Sequence, residues 1–253
     1  MLTINEELFA DIPSLHVYKT ENQDKPLPTV IFWHGFGSGK EHNLHVAYRL
    51  AMQDIRVILP EAVHHGTRGT GLTEKQAQME FWSIVVKSVS ETKNIKSALE
   101  EQQLIQDARL FVGGTSMGGI LTCGALAAYP WIKGAVVLMG CPSWEKLARE
   151  QIAVLKEQGA LPISQEDIEA QIQKLVPYDL SQHDAALDGR PLFFWHGRDD
   201  AVVPYQYSYD FYEKMKHTYS DRRRFIYHLN HSAGHKVSRT GMIEMCDWVA
   251  DYI

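Results

Sequence analysis

The sequence predicts an α/β domain with a mostly parallel, doubly wound sheet, and two observations carry that prediction. Short apolar runs bounded by glycine or proline recur at residues 29–33, 56–59, 110–112, 135–139, 192–195 and 225–229. They are continuous rather than alternating, the pattern of strands covered by helices on both faces. Between them the period becomes helical. Phe81, Val85, Ser88, Thr92, Ile95 and Leu99 form one stripe, and Met242, Cys246 and Val249 another near the C-terminus. Strand and helix in repeated alternation build a parallel sheet between two helical layers.

At 253 residues and 45% hydrophobic content, the chain is expected to form a single domain over residues 1–253, because one core of this size is ordinary. Leu15 to Tyr18 are expected to add an antiparallel edge strand. One stretch breaks the rhythm. About 50 residues separate the run ending near Gly140 from that beginning near Pro191, far more than an ordinary connection needs. Trp144, Leu147, Ala148, Ile152 and Leu155 fit one helix. Ser164, with Asp167 three residues on, resembles a capping box that opens a second helix bearing Ile168, Ile172 and Leu175. A small helical cap inserted over residues 141–190 is the reading adopted; the alternative is a crossover helix with a surface excursion.

Composition excludes several function classes. The net charge of −6 arises from 31 acidic and 25 basic residues with no long run of either sign, so neither nucleic acid nor a membrane surface is an expected partner. The N-terminal stretch carries acidic residues where a secretory signal needs a basic region and an apolar core, and a cytoplasmic location is expected. No apolar run reaches the roughly 18 to 20 residues that a membrane span requires. Cys123, Cys141 and Cys246 are odd in number and widely spaced, which points to reduced, buried thiols rather than a disulfide framework or a zinc site.

The strongest chemical signal is Gly114-Thr115-Ser116-Met117-Gly118, a G-x-S-x-G pattern between an apolar strand and an Ala-rich helix. A serine on such a tight turn is held in a strained backbone conformation, and its flanking glycines avoid clashes. The Met117 amide, at the start of the helix, is placed to donate to a developing oxyanion. Serine needs a histidine base and an acid to orient that base, in the chain order serine, acid, histidine. His235 follows the last strand and precedes the last helix, and that position favours it over His231 in the same loop. The acid belongs after the preceding strand, where spacing alone leaves Asp199 and Asp200 both open. The glycine-rich stretch His34–Gly39 can present a second backbone donor, the amide of Phe36. Its Gly37-Ser38-Gly39-Lys40 resembles a phosphate-binding loop only faintly. The first required glycine is His34, and Glu41 stands where Ser or Thr is needed, so nucleotide binding is rejected.

Taken together, these residues resemble the small bacterial YitV/YjfP-like esterases, within the α/β-hydrolase clan that includes dienelactone hydrolases and prolyl-oligopeptidase-type peptidases. The likeness runs through residues 11–16, 32–36, 61–68, 81–82, 113–119, 196–204 and 234–235. It implies the α/β-hydrolase fold. It also implies Ser116 as nucleophile, His235 as base and the amides of Phe36 and Met117 as oxyanion donors. In the His-Gly-x-x-Asp pattern of that family the acid is the fifth residue, which carries over to Asp200 and leaves Asp199 as a turn neighbour. Dienelactone hydrolases carry cysteine where this chain has Ser116, a departure that points away from dienelactones.

The expected reaction is therefore hydrolysis of a small-molecule ester through an acyl-enzyme, with no cofactor. Activity should rise through roughly pH 6 to 8 as the histidine base becomes neutral. Phe81, Trp82 and Trp144 are candidate walls of an acyl pocket, although aromatic residues at helical spacing more often belong to the core. His64 and His65 are read as loop-packing residues near the site mouth, and His34 and His196 as partners of local backbone. His231 and His235 have the spacing of a metal pair but no third ligand nearby, so no metal is expected. The tyrosines at 205, 207, 209 and 212 are read as a helix surface. A thioesterase or small peptidase could use the same triad, and a catalytically silent binding protein could keep the fold; a complete triad with both oxyanion loops argues against the silent form.

Overall fold

The computed structural model describes residues 1–157 and 164–253. Its centre is one eight-stranded sheet. The strands are β1 (Leu2–Phe9), β2 (Ile12–Lys19), β3 (Leu27–Trp33), β4 (Arg56–Pro60), β5 (Ile105–Thr115), β6 (Gly134–Leu138), β7 (Leu192–Gly197) and β8 (Phe225–Asn230). Their spatial order is β1-β2-β4-β3-β5-β6-β7-β8. From β4 onward every neighbouring pair is parallel, while β1 and β2 are antiparallel additions at one edge.

Every residue of β3, β4, β6 and β7 is buried. Alternate side chains enter opposite cores, as the period of two requires. Ile31, Trp33, Val112, Val137 and Phe194 face one core, which α3 (Phe81–Glu101) and α4 (Met117–Ala128) close with Val85, Ile95, Ile120 and Leu121. Val30, Phe32, Phe111, Val136 and Phe193 face the other, closed by α1 (Leu44–Ala51) and α8 (Arg239–Tyr252) through Val46, Leu50, Cys246 and Val249. The expected stripe on α3 is buried from Val85 to Leu99, and Phe81 at its start is half-buried.

The sheet edge differs from expectation. The strand expected at 15–18 runs over Ile12–Lys19 and is not the edge, because β1 pairs along its whole length. β1 hides its nature by inverting the usual pattern. Ile4 and Leu8 point outward, while Asn5 and Glu7 face the structure to meet Tyr18 and His16. Its hairpin turn uses Ala10 and Asp11, both at positive φ, without the glycine or asparagine that usually announces one.

Between β6 and β7 lie α5 (Trp144–Glu157) and α6 (Gln165–Gln173), where the sequence placed two helices; residues 158–163 of the expected 141–190 insertion are outside the described residues. Ser164 caps α6 by accepting the Asp167 amide at 3.1 Å. Its hydroxyl also donates to the Asp167 carboxylate at 2.6 Å, in place of the reciprocal backbone bond of a full capping box. A remaining short helix, α2 (Glu74–Met79), precedes α3, and α7 (Gln206–Met215) follows β7. Tyr207 and Tyr212 correct the surface reading, since both pack on the core, while Tyr209 is exposed as expected; Tyr209 and Tyr212 both meet Tyr227 of β8. β8 is an edge strand, and Tyr212 also packs on its Phe225.

Candidate active site

Ser116 stands between β5 and α4 with φ 57° and ψ −115°, a strained conformation for a non-glycine residue. Its amide donates to the Leu138 carbonyl at 2.8 Å, which ties the turn to β6. The flanking glycines are required by close approach of backbone. A Cβ on Gly114 would lie 2.4 Å from the Gly118 carbonyl carbon, and one on Gly118 would lie 2.2 Å from the Trp33 oxygen at the end of β3.

A chain of hydrogen bonds runs from this serine. His235 Nε2 lies 2.8 Å from Ser116 Oγ, and His235 Nδ1 lies 2.6 Å from Asp200 Oδ2. The carboxylate can only accept, so Nδ1 carries the proton and Nε2 presents its lone pair to the serine hydroxyl. The other carboxylate oxygen of Asp200 accepts the amides of Val202 and Val203, each at 2.9 Å. Burial pushes the Asp200 carboxyl up, but hydrogen bonds from His196, His235 and these amides outweigh it and hold the group well below the usual carboxylate range. Asp199, left open on spacing alone, is exposed, and its amide donates to the Ala233 carbonyl. His231 is exposed too, with Arg198 at 3.4 Å as its contact.

His196 adds a contact that sequence reading missed. It is fully buried; one ring nitrogen is 2.9 Å from the Val203 carbonyl and 3.3 Å from Asp200 Oδ2, and the other is 3.0 Å from Ser208 Oγ. Local backbone bonding was expected of it, but not the approach to Asp200. The signal available was its place four residues before Asp200.

The loop after β3 reaches Ser116. A Cβ on Gly35 would lie 3.5 Å from Ser116 Cβ. Among the described residues, neither the amide of Phe36 nor that of Met117 has a hydrogen-bond acceptor. His34 is fully buried and donates from Nδ1 to the Gly35 carbonyl at 2.8 Å, while its Nε2 accepts the Ala62 amide at 3.1 Å. His65 is buried against the same loop, and its Nε2 accepts the Gly37 amide at 3.0 Å. Each histidine thus bonds a carbonyl near in sequence, Gly35 for His34 and Val63 for His65, and an amide 28 residues away, so the local bonding expected of His34 is half of what it makes. His64 sits at positive φ beside Thr70.

Beneath the loop, fully buried Glu61 receives the Lys40 amide at 3.1 Å, the Lys40 ammonium at 3.2 Å and the Thr67 amide at 3.3 Å. Burial pushes its carboxyl up, but the hydrogen bonds from the Lys40 amide and ammonium prevail and hold it below the usual carboxylate range. Lys40 also meets Glu6 and Glu41 and is only 2% exposed, so its charge is spent on carboxylates rather than offered to a phosphate. Among the described residues no group of three or more His, Cys, Asp or Glu side chains is disposed to hold a metal ion.

An aromatic ladder leads away from the loop: Phe36 to Phe81 at 5.8 Å between centroids, Phe81 to Trp82 at 5.4 Å and Trp82 to Trp144 at 5.3 Å. Phe81 and Trp82 are half-buried, and Trp82 donates to Gln151 of α5 at 2.9 Å. Trp144 corrects the pocket reading. It is 0% exposed, donates to the Ile120 carbonyl at 3.0 Å and fills the space over Gly124, so it is core and not wall.

Comparison with known proteins agrees with this architecture. The profile of the prolyl oligopeptidase family matches residues 85–252. The protein named "Putative esterase YitV" of Bacillus subtilis is 41% identical over the full length of both chains. The esterase YjfP of Escherichia coli is 34% identical over 88% of each. Among solved structures, TT1662 from Thermus thermophilus superposes with a TM-score of 0.75 at 17% identity, covering 100% of this chain and 98% of its own, a likeness of fold. No helix among the described residues is long and apolar enough to cross a membrane. By profile and by full-length identity, the chain belongs to the prolyl oligopeptidase family, and its place there is with the YitV/YjfP-like esterases of the α/β-hydrolase superfamily.

Proposed function

We propose that this protein is a serine carboxylesterase that hydrolyses small acyl esters through an acyl-enzyme on Ser116. The observation that carries the reading is the unbroken chain from Ser116 Oγ to His235 at 2.8 Å and from His235 to Asp200 at 2.6 Å. His235 takes the serine proton as Oγ attacks the ester carbonyl, and Asp200 stabilises the imidazolium that forms. The amides of Phe36 and Met117 receive the oxyanion. The tetrahedral intermediate collapses as His235 protonates the departing alcohol, and water repeats the sequence on the acyl-enzyme. Half-buried Phe81 and Trp82 are proposed to wall the acyl side. The scheme calls on no cofactor, and it suits a cytoplasmic enzyme acting on small molecules.

A peptidase reading is kept beside it because the matching profile is that of the prolyl oligopeptidase family. Purified protein should be assayed on p-nitrophenyl esters from acetate to decanoate, beside Ser116→Ala, with thioesters and aminoacyl p-nitroanilides in parallel. Ester turnover abolished in the variant and exceeding anilide turnover supports the esterase. Faster anilide turnover supports the peptidase, and equal ester rates in both proteins exclude Ser116 as nucleophile.

A further inference from the structure

We infer that His65 is a positioning residue for the oxyanion donor: through the amide of Gly37, its imidazole fixes the stretch of backbone that carries the Phe36 N–H. This rests on the serine-esterase reading and adds a residue from outside its triad and donors.

The tautomer of His65 follows from its partners. Nδ1 is 2.9 Å from the Val63 carbonyl, which can only accept, so Nδ1 carries the hydrogen and Nε2 is bare. The bare nitrogen accepts the Gly37 amide at 3.0 Å. The ring is 6% exposed and stands edge-on to His34 at 5.1 Å and to Phe36 at 5.3 Å, so it cannot swing away without repacking both.

Peptide planarity carries this hold to the donor. The Gly35 carbonyl and the Phe36 N–H belong to one trans peptide and point in opposite directions. That carbonyl is held by His34 at 2.8 Å and by the Ser38 amide at 3.2 Å. The next peptide, which carries the Gly37 N–H, is held by His65. Both peptide planes flanking the Phe36 Cα are thereby fixed. Gly37 itself lies at φ +69°, and a Cβ placed on it would meet nothing within 4 Å, so neither a side chain nor local packing would restrain the loop in place of His65. Gly35 already lies against Ser116, and a small shift of the loop would change the distance from the Phe36 amide to the reacting carbonyl oxygen.

The test compares wild type, His65→Phe, His65→Gln and Ser116→Ala on the best p-nitrophenyl ester. Phenylalanine keeps the ring and loses the acceptor; glutamine returns an oxygen acceptor where Nε2 stands. His65→Phe should lower kcat about ten- to a hundredfold with KM changed less than about threefold, because the lost interaction is made in the transition state. Affinity for a trifluoromethyl ketone, which mimics the oxyanion, should fall by the same factor as kcat/KM, and His65→Gln should recover most of both. A kcat for His65→Phe within about twofold of wild type, or equal losses in the phenylalanine and glutamine variants at unchanged melting temperature, would overturn the proposal. Persistent activity in Ser116→Ala would instead sink the esterase reading beneath it. Should the variants fail to fold, 15N NMR of the wild-type ring decides: Nδ1 protonated and Nε2 bare supports the role, and the opposite tautomer overturns it.

Discussion

His235 Nδ1 lies 2.6 Å from Asp200 Oδ2, and the Asp200 side chain that receives it has no solvent-exposed surface. The imidazole is therefore oriented from a site that water does not reach, with the two amides of Val202 and Val203 holding the other oxygen in place. In Asp200→Asn the side-chain oxygen can keep those amides, but the NH2 group would face His235 and favour the tautomer that turns a protonated nitrogen toward Ser116. The expected result is loss of about a thousandfold or more in kcat with little change in melting temperature. Steady-state kinetics and thermal melts on the same preparation check it; a tenfold loss or less would mean that Asp200 does not set the tautomer.

Glu61 gives a prediction of stability against pH. Its folded carboxyl is held by Lys40 below the ordinary glutamate value of about 4.3. A depressed carboxyl favours the folded state above its unfolded pKa, and that contribution is lost as pH falls toward the folded one. Urea midpoints should therefore fall below about pH 4.3 more steeply for wild type than for Glu61→Gln. The variant should be less stable at neutral pH, where it leaves Lys40 buried without that partner. Parallel curves for the two proteins would remove Glu61 as a source of acid sensitivity.

Gly118 lies where α4 passes close to the end of β3. An alanine Cβ there would stand 2.2 Å from the Trp33 oxygen and 2.9 Å from that of His34, and neither backbone atom can move alone. Gly118→Ala should cost about 1–3 kcal/mol in unfolding free energy. It should also lower kcat out of proportion, because relief of the clash must part Ser116 from the loop bearing Phe36. Chemical denaturation paired with ester kinetics measures both. An active, stable variant would show the contact to be softer than its geometry.

How far the sequence revealed this arrangement can be judged from particular residues. Ser116, Asp200 and His235 lie on turns after β5, β7 and β8; the runs at 110–112 and 192–195 are apolar throughout, that at 225–229 is broken by His228, and parallel strands bring the ends of such runs to one side. Chain order and motif therefore led to a site assembled by sheet register. β1 was not legible because its covered face is Asn5 and Glu7 and its apolar face is open, the reverse of a half-buried strand. The His196 approach to Asp200 depends on side-chain rotamers, and the hold of His65 on Gly37 joins loops far apart in sequence; periodicity encodes neither. Tyr212 misled for a related reason: its partners Phe225 and Tyr227 are on another element, so its packing could not be read from the spacing of its own helix.

Trp82 and Trp144 separate wall from core by experiment. Their rings are 5.3 Å apart, yet Trp82 keeps partial exposure beside Phe81, and Trp144 has none. Trp144→Ala removes a fully buried indole and its bond to Ile120, so it should cost about 3–5 kcal/mol. The remaining folded fraction should show the wild-type preference among ester chain lengths, because Trp144 meets no substrate. Trp82→Ala should cost less stability and move the preferred acyl chain toward longer esters, since it enlarges the space along the ladder that starts at Phe36. Relative kcat/KM across the acetate-to-decanoate series is the deciding quantity. A shifted optimum in Trp144→Ala with none in Trp82→Ala would exchange their roles and place the acyl pocket deeper, toward α5.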